Sequence, residues 1–159
     1  MNYRSLVPVI GTIRNISPMS GECCSQMVSV DTRDGQIDFV VSPDTLVIEN
    51  IRLRQGMSVA AFYDANRPVP LIFPPQYRAE IITRVRDDEN IMLHFFNRNL
   101  LAADGSLQLN IGRSTDISTA NGQRFSCNPG GNTLLVYYSI TTRSIPPQTT
   151  PRKIVVMCE

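Results

Sequence analysis

Three observations predict an all-β protein organised as a tandem repeat. Short runs alternate apolar with polar residues, as strands buried on one face do. Eleven Pro and nine Gly are scattered along 159 residues and interrupt almost every window long enough for a helix. A set of anchor residues returns in the same order about 70 residues later.

The anchors define the repeat. Asp34-Gly35 recurs as Asp104-Gly105, and Asp44-Thr45 as Ser114-Thr115, both at an offset of 70. Gly56, Val59 and Phe62-Tyr63 recur as Gly131, Leu134 and Tyr137-Tyr138 at an offset of 75. Pro74-Pro75-Gln76 returns as Pro146-Pro147-Gln148 at 72, and Arg78 is matched to Arg152. Five matches in register, separated by loop-sized insertions, indicate a duplication with units at 1–86 and 87–159.

Within the first unit, Leu6 to Ile16 reads as a long strand that bends at Gly11, where no side chain resists. Val28 and Val30, then Ile37, Phe39 and Val41, flank an Arg33-Asp34-Gly35 turn and predict a hairpin. Thr45 is expected to cap a helical turn through Ile48 and Ile51 that Gly56 stops. Met57 to Tyr63 and Arg78 to Val85 are rich in β-formers. In the second unit, Ile91 to Asn97 aligns with Met27 to Thr32, leaving room for one strand between it and Pro74-Pro75-Gln76. Arg78 to Arg86 is therefore expected to close the first unit and open the second, unless the second lacks its opening strand. A rival reading makes 90–103 a helix, since Met92, Phe95, Phe96, Asn99 and Leu100 fall near helical spacing.

Five strands with a helical turn between the third and fourth resemble the OB-fold, a small Greek-key barrel, over residues 4–86, and the repeat extends that resemblance to 87–159. The implied architecture is two fused OB-like barrels that share or closely pack the central strand. The string Ala61-Phe62-Tyr63-Asp64-Ala65-Asn66-Arg67-Pro68-Val69-Pro70-Leu71-Ile72-Phe73-Pro74-Pro75-Gln76-Tyr77-Arg78-Ala79, with Thr141-Thr142-Arg143-Ser144-Ile145-Pro146, resembles an uncharacterised family of small proteins from anaerobic Gram-positive bacteria of the clostridial type. That resemblance supports the unit boundaries and implies no activity.

Fifteen basic residues oppose fourteen acidic ones, for a net charge of +1. The first unit holds nine Arg against eight acids, and the second six basic residues against six acids, so neither has the electropositive footprint of a strong nucleic-acid binder. The longest apolar stretch near the start, Leu6 to Ile10, is too short for a signal-peptide core, and no run suits a membrane helix. Cys23, Cys24, Cys127 and Cys158 show no CxxC spacing, which fits a reduced, cytoplasmic protein, with Cys127 and Cys158 expected as small buried or edge hydrophobes. His94, the sole histidine, lies among Leu93, Phe95 and Phe96 and reads as a satisfied, partly buried residue. Asp87-Asp88-Glu89 reads as a solvated turn. With these residues no metal site, cofactor or catalytic centre is expected, and the protein is read as a non-enzyme.

The most informative segment is the proline-rich connection from Asp64 to Gln76, whose prolines display apolar side chains at low entropic cost. Tyr63, Phe73, Tyr77 and Arg78 are candidates for an aromatic and cationic platform there, with Arg52 and Arg54 alongside and Arg143 and Arg152 in the second unit. Arg78, Arg84 and Arg86 have the even spacing of one strand face. The leading function is a binding module for a protein partner or a second copy. Single-stranded nucleic acid is the second reading. A small anionic ligand between the repeats, held by Arg78 and Arg152, is the third.

Overall fold

The structure, a computed structural model, describes Asn2 to Cys158. Beyond the first three residues its contacts divide into two compact units, Arg4–Arg86 and Asp87–Glu159. Both are all-β.

The first unit contains β1 (Leu6–Met19), β2 (Glu22–Thr32), β3 (Gly35–Val41), β4 (Leu46–Val47), β5 (Ser58–Asp64), β6 (Gln76–Arg78) and β7 (Ile81–Arg84), in the sheet order β4-β7-β5-β1-β2-β3-β6. β1 lies antiparallel to β2 and β5, and β2 to β3. The turn between β2 and β3 has Gly35 at φ 112°, the backbone freedom that the Asp-Gly pair anticipates. Alternation along these strands sends Val28, Val30, Phe39, Val59, Ala61 and Ile82 into one core. Gly11 is required by space. A Cβ there would collide with the Asp31 carbonyl oxygen and come within 2.6 Å of Val30 Cγ1.

The segment 76–84 changes neighbour halfway. β6 runs parallel to β3 and β7 antiparallel to β5, with β4 parallel to β7 on its other side. The switch lies at two backbone bonds: Ala79 N–H donates to Val40 O at 3.0 Å, and Glu80 N–H to Phe62 O at 2.8 Å.

The second unit contains β8 (Asn90–Phe96), β9 (Gln108–Leu109), β10 (Asp116–Thr119), β11 (Asn132–Tyr138), β12 (Gln148–Thr149) and β13 (Lys153–Met157). Four strands form a sheet in the order β10-β13-β11-β8, and β12 pairs with β9 apart from it. β13 lies antiparallel to β11 and parallel to β10, as β7 does to β5 and β4. β12 is parallel to β9, as β6 is to β3. Its core gathers Phe96, Leu107, Leu109, Leu134, Val136 and Ile154.

Several bonds recur at matching places in the two units. Thr45 Oγ1 accepts from Ser42 N–H at 3.0 Å and donates to Ala79 O at 2.8 Å. Thr115 Oγ1 accepts from Gly112 N–H at 3.1 Å and donates to Pro151 O at 2.7 Å. Asp38 N–H to Pro75 O and Gln108 N–H to Pro147 O are both 2.9 Å. Gly56 and Gly131 have φ of 87° and 81°, and the Phe73-Pro74 and Ile145-Pro146 peptides are both cis.

Several expectations are corrected. The strand reading of residues 90–96 holds and its helical rival does not: they ladder with β11 from Asn90↔Tyr138 to Asn132↔Phe96. β8 thus occupies beside β11 the place that β1 holds beside β5, and it is the counterpart of the opening strand, not of Met27 to Thr32. The intervening strand has shrunk to the bridges Phe96↔Ala102 and Leu101↔Gln108. Arg78 to Arg86 is not shared as an opening strand, because both ladders of β7 run to β4 and β5 in the first unit. Arg152 matches Glu80 rather than Arg78, since its N–H bonds Tyr137 O at 2.9 Å as Glu80 N–H bonds Phe62 O. Thr45 caps no helix. The turn Ile48–Asn50 has Val47 as its N-cap without a side-chain bond, and Glu49 inside it at φ 63°.

Candidate functional site

The site grows from the ends of β5 and β6. Tyr63 lies next to the end of β5 and Tyr77 in β6, and the interrupted strand brings their rings face to face at 4.0 Å with 14° between planes. Phe39 of β3 supports Tyr77 at 6.1 Å. Burial, reinforced by the neighbouring Tyr77 hydroxyl, pushes the Tyr63 phenol above its usual pKa.

The connecting loop folds over this pair. Its first turn is held by the Asp64 carboxylate, which accepts from Asn66 N–H at 2.9 Å, and by Arg67 N–H to Asp64 O at 3.1 Å. The Asn66 amide, the Ser5 hydroxyl and the Arg67 charge hold Asp64 below the usual carboxylate range. Arg67 Nε lies 3.3 Å from the mostly buried Glu80 Oε1, a charge contact without hydrogen-bond alignment. The result is an open cleft of about 190 Å³ lined by Val40, Tyr63, Arg67, Pro68, Tyr77 and Arg78, among others.

The predicted residues fall into two groups. Tyr63, Tyr77 and Arg78 meet at this cleft. Phe73 does not line it. It stands at the loop tip, 93% exposed, beside Leu71, which is fully exposed. Arg52 and Arg54 are exposed on the segment after the Ile48–Asn50 turn and do not line the cleft either. Val40, Arg67 and Gln76 belong to the lining and were missed; Val40 and Gln76 enter through the pairing of β3 with β6, where Val40 faces Arg78, and Arg67 through the turn that follows β5.

Two of the predicted cations are engaged. Arg78 Nη2 meets Asp44 Oδ2 at 3.2 Å in an exposed pair. Arg152 grips Glu89 through Nε at 2.7 Å and Nη2 at 2.8 Å, and its guanidinium stacks 5.4 Å over Tyr137. Arg152 thus serves as the partner of a buried carboxylate, and Glu89 is no part of a solvated turn. Arg78 and Arg84 do not belong to one continuous strand face, because the strand breaks at Ala79-Glu80.

The companion loop keeps the shape and loses the aromatic pair. Ile145 stands where Phe73 does and is fully exposed, and Arg143 is exposed two residues earlier. Thr149 replaces Tyr77, and among the described residues no ring stacks on Tyr138, whose pKa burial raises. A polar clasp holds the loop instead, with Gln148 N–H donating to Thr142 Oγ1 at 2.9 Å and Ser144 Oγ to Pro146 O at 2.8 Å.

His94 Nδ1 lies 3.0 Å from Phe95 O and its Nε2 3.5 Å from Asp104, within the second unit. All four cysteines are exposed and free; Cys127 and Cys158 are thus not buried, the edge alternative being the one left to them. Among the described residues no cluster of three or more potential metal ligands occurs, and no helix is long and apolar enough to cross a membrane.

No family model and no curated protein matches the chain. Among solved structures it is similar to TiaS in complex with an isoleucine tRNA, AMPCPP and agmatine, with TM-score 0.35 and 19% identity over 59% of this chain and 22% of that one. The apo form of TiaS, a tRNA agmatidine synthetase, gives TM-score 0.35 and 16% identity over 96% of this chain and 33% of that one. The complex of TiaS with the same tRNA and ATP gives TM-score 0.35 and 15% identity over 96% and 32%. The chain thus spans a third or less of these proteins, and likeness at this level carries no argument about function.

Proposed function

We propose that this chain is a non-enzymatic binding protein of two OB-like units, acting in the cytoplasm, whose proline-rich loops engage a protein partner or a second copy. The OB-type reading is supported by the ladder pattern of the first unit: a β1-β2-β3 meander, β5 beside β1, and one interrupted strand reaching β3 in parallel and β5 in antiparallel. The observation that carries the function is the loop tip, where Leu71, Ile72 and Phe73 are exposed in sequence on a loop pinned at both ends. Water disfavours such a contiguous apolar run, and a rigid tip loses little entropy when it docks. Ile145 repeats the device. The test is light scattering over a range of concentrations on the wild type and on a Leu71→Ser/Phe73→Ser variant. Assemblies whose mass falls in the variant support the reading, and equal masses throughout defeat it.

Single-stranded nucleic acid is the second reading, favoured by the stacked, half-buried tyrosine pair and by the exposed Arg52 and Arg54, for which the described residues supply no acidic partner. It predicts anisotropy binding that weakens steeply between about 50 and 200 mM salt. A small anionic ligand has less support, because Arg78 and Arg152 already hold carboxylates.

A further inference from the structure

The loop that carries the exposed tip also frames the cleft at its base. The charges around that cleft are met within the chain: Arg67 lies against Glu80, Arg78 against Asp44, and the Asp64 carboxylate accepts from Asn66 N–H. With Gln76 set aside, the rest of the lining is apolar or aromatic, from Val40, Pro68, Val69 and Pro70 to the rings of Tyr63 and Tyr77. Tyr77 has both Phe39 and Tyr63 against it, whereas among the described residues no ring other than Tyr77 packs on Tyr63. A protein cavity of about 150 Å³ takes a benzene molecule, so a cleft of about 190 Å³ has room for one phenyl ring. With each charge already answered, an uncharged ring suits it better than an ion.

The chain carries such a ring close by. Phe73 is 93% exposed and does not line its own cleft. The segment Pro68-Val69-Pro70-Leu71-Ile72-Phe73-Pro74-Pro75 has no charged side chain, and its prolines favour extended backbone. Phe73 is the third residue beyond Pro70 in the cleft wall, a reach of roughly 9 Å in extended chain. That overhang is close to the ~10 Å at which two packed layers lie. The tip thus stands off its own cleft by about the width of a neighbouring chain.

We propose that two copies of this chain exchange loop tips about a two-fold axis, the Phe73 ring of each entering the cleft beside Tyr63 and Tyr77 of the other. This rests on the loop reading of the function; it fixes the partner as a second copy and names the surface that receives the tip. Knob and hole belong to one loop, neither is filled within the chain, and both are free of unmatched charge. A two-fold exchange uses each of them twice and leaves none over, so the assembly closes at two chains. Leu71, Ile72 and Phe73 bring roughly 400 Å² of apolar surface per tip. Two tips and the walls they cover come to roughly 1,600 Å², the size of a stable, specific interface.

Light scattering tests it on the tip variant Leu71→Ser/Phe73→Ser and on a cleft variant, Val69→Glu. Val69 is 42% exposed, so the free chain tolerates a charge there that an arriving tip would bury. Each variant should raise the dimer dissociation constant by about tenfold or more. Mixing the two should restore part of the association, through the intact tip of one chain and the intact cleft of the other. A wild type that stays monomeric at high concentration overturns the exchange and leaves the loop reading to a different protein partner. A monomeric tip variant beside a Val69→Glu chain that dimerises as the wild type does, or a mixture that associates no better than its parts, also overturns the exchange alone. A tip variant that assembles as the wild type does defeats both readings. If Val69→Glu does not fold, cross-linking decides, in chains whose Cys23, Cys24, Cys127 and Cys158 are changed to Ser. Phe73→Cys should then form a mixed disulfide with Val69→Cys about tenfold faster than with Ser106→Cys; equal rates overturn the exchange.

Discussion

The first unit spends three long strands, β1, β2 and β3, on its meander; the second makes do with β8, two bridges and the two-residue β9. The other half of each unit is nearly superimposable in its bonding, from the Thr45 and Thr115 hydroxyls to the loops ending at Gln76 and Gln148. The two units differ where strand length is set by pairing alone and agree where a side chain locks the backbone. A strand can shorten by two residues and lose one pair of ladder bonds. A threonine bridging two segments has no partial version.

The largest expected effect compares the two cores. Phe39→Ala and Leu109→Ala empty matching positions beneath the loops, each fully or almost fully buried. The first should cost about 3–5 kcal/mol and the second about 2–5 kcal/mol in urea unfolding. A cost confined to one unit, seen as two separated transitions, would show that the repeats fold independently.

Next come the ion pairs. Arg152→Ala leaves Glu89 buried without its bidentate partner and should destabilise by about 3–5 kcal/mol. Arg78→Ala removes an exposed pair with Asp44 and should cost about 0–1 kcal/mol. Similar costs would mean that Glu89 is solvated after all. Thr45→Val and Thr115→Val should each cost about 1–3 kcal/mol, because each strands a carbonyl and an N–H. Equality of the two is the point of that pair of measurements.

The smallest effect is alkaline. Tyr63 and Tyr138 have pKa values raised above 10.0, so the folded state favours their neutral phenols. That contribution is fully present below the unfolded pKa and is lost as pH rises through the folded values. Phenolate absorbance should show Tyr63 and Tyr138 titrating late, with stability falling beyond about pH 10. Tyr63→Phe should remove one late step and Tyr138→Phe the other.

Much of this was readable from the chain. Alternation at Val28, Val30, Ile37, Phe39 and Val41 reports a half-buried hairpin directly, because a one-residue slip would turn every side chain outward. The anchors Asp-Gly, Thr and Pro-Pro-Gln mark turns and locks whose chemistry is local. Of the site, Tyr63, Tyr77 and Arg78 were legible as an aromatic and cationic set. The charge partners were not. Glu89 and Arg152 lie 63 residues apart, and nothing local to either says that they meet. The same holds for Phe73, whose residue type suits either a core or a tip.

The sequence by itself determined the all-β class, the hairpin turn and the proline loops, since each follows from periodicity or from backbone chemistry within a few residues. Tertiary structure decided which strand β8 replaces, which carboxylate each arginine holds, and that the segment 76–84 divides its hydrogen bonds between β3 and β5. Those outcomes depend on which distant N–H and C=O groups find each other, and backbone donors and acceptors are the same at every residue, so no residue type records the choice.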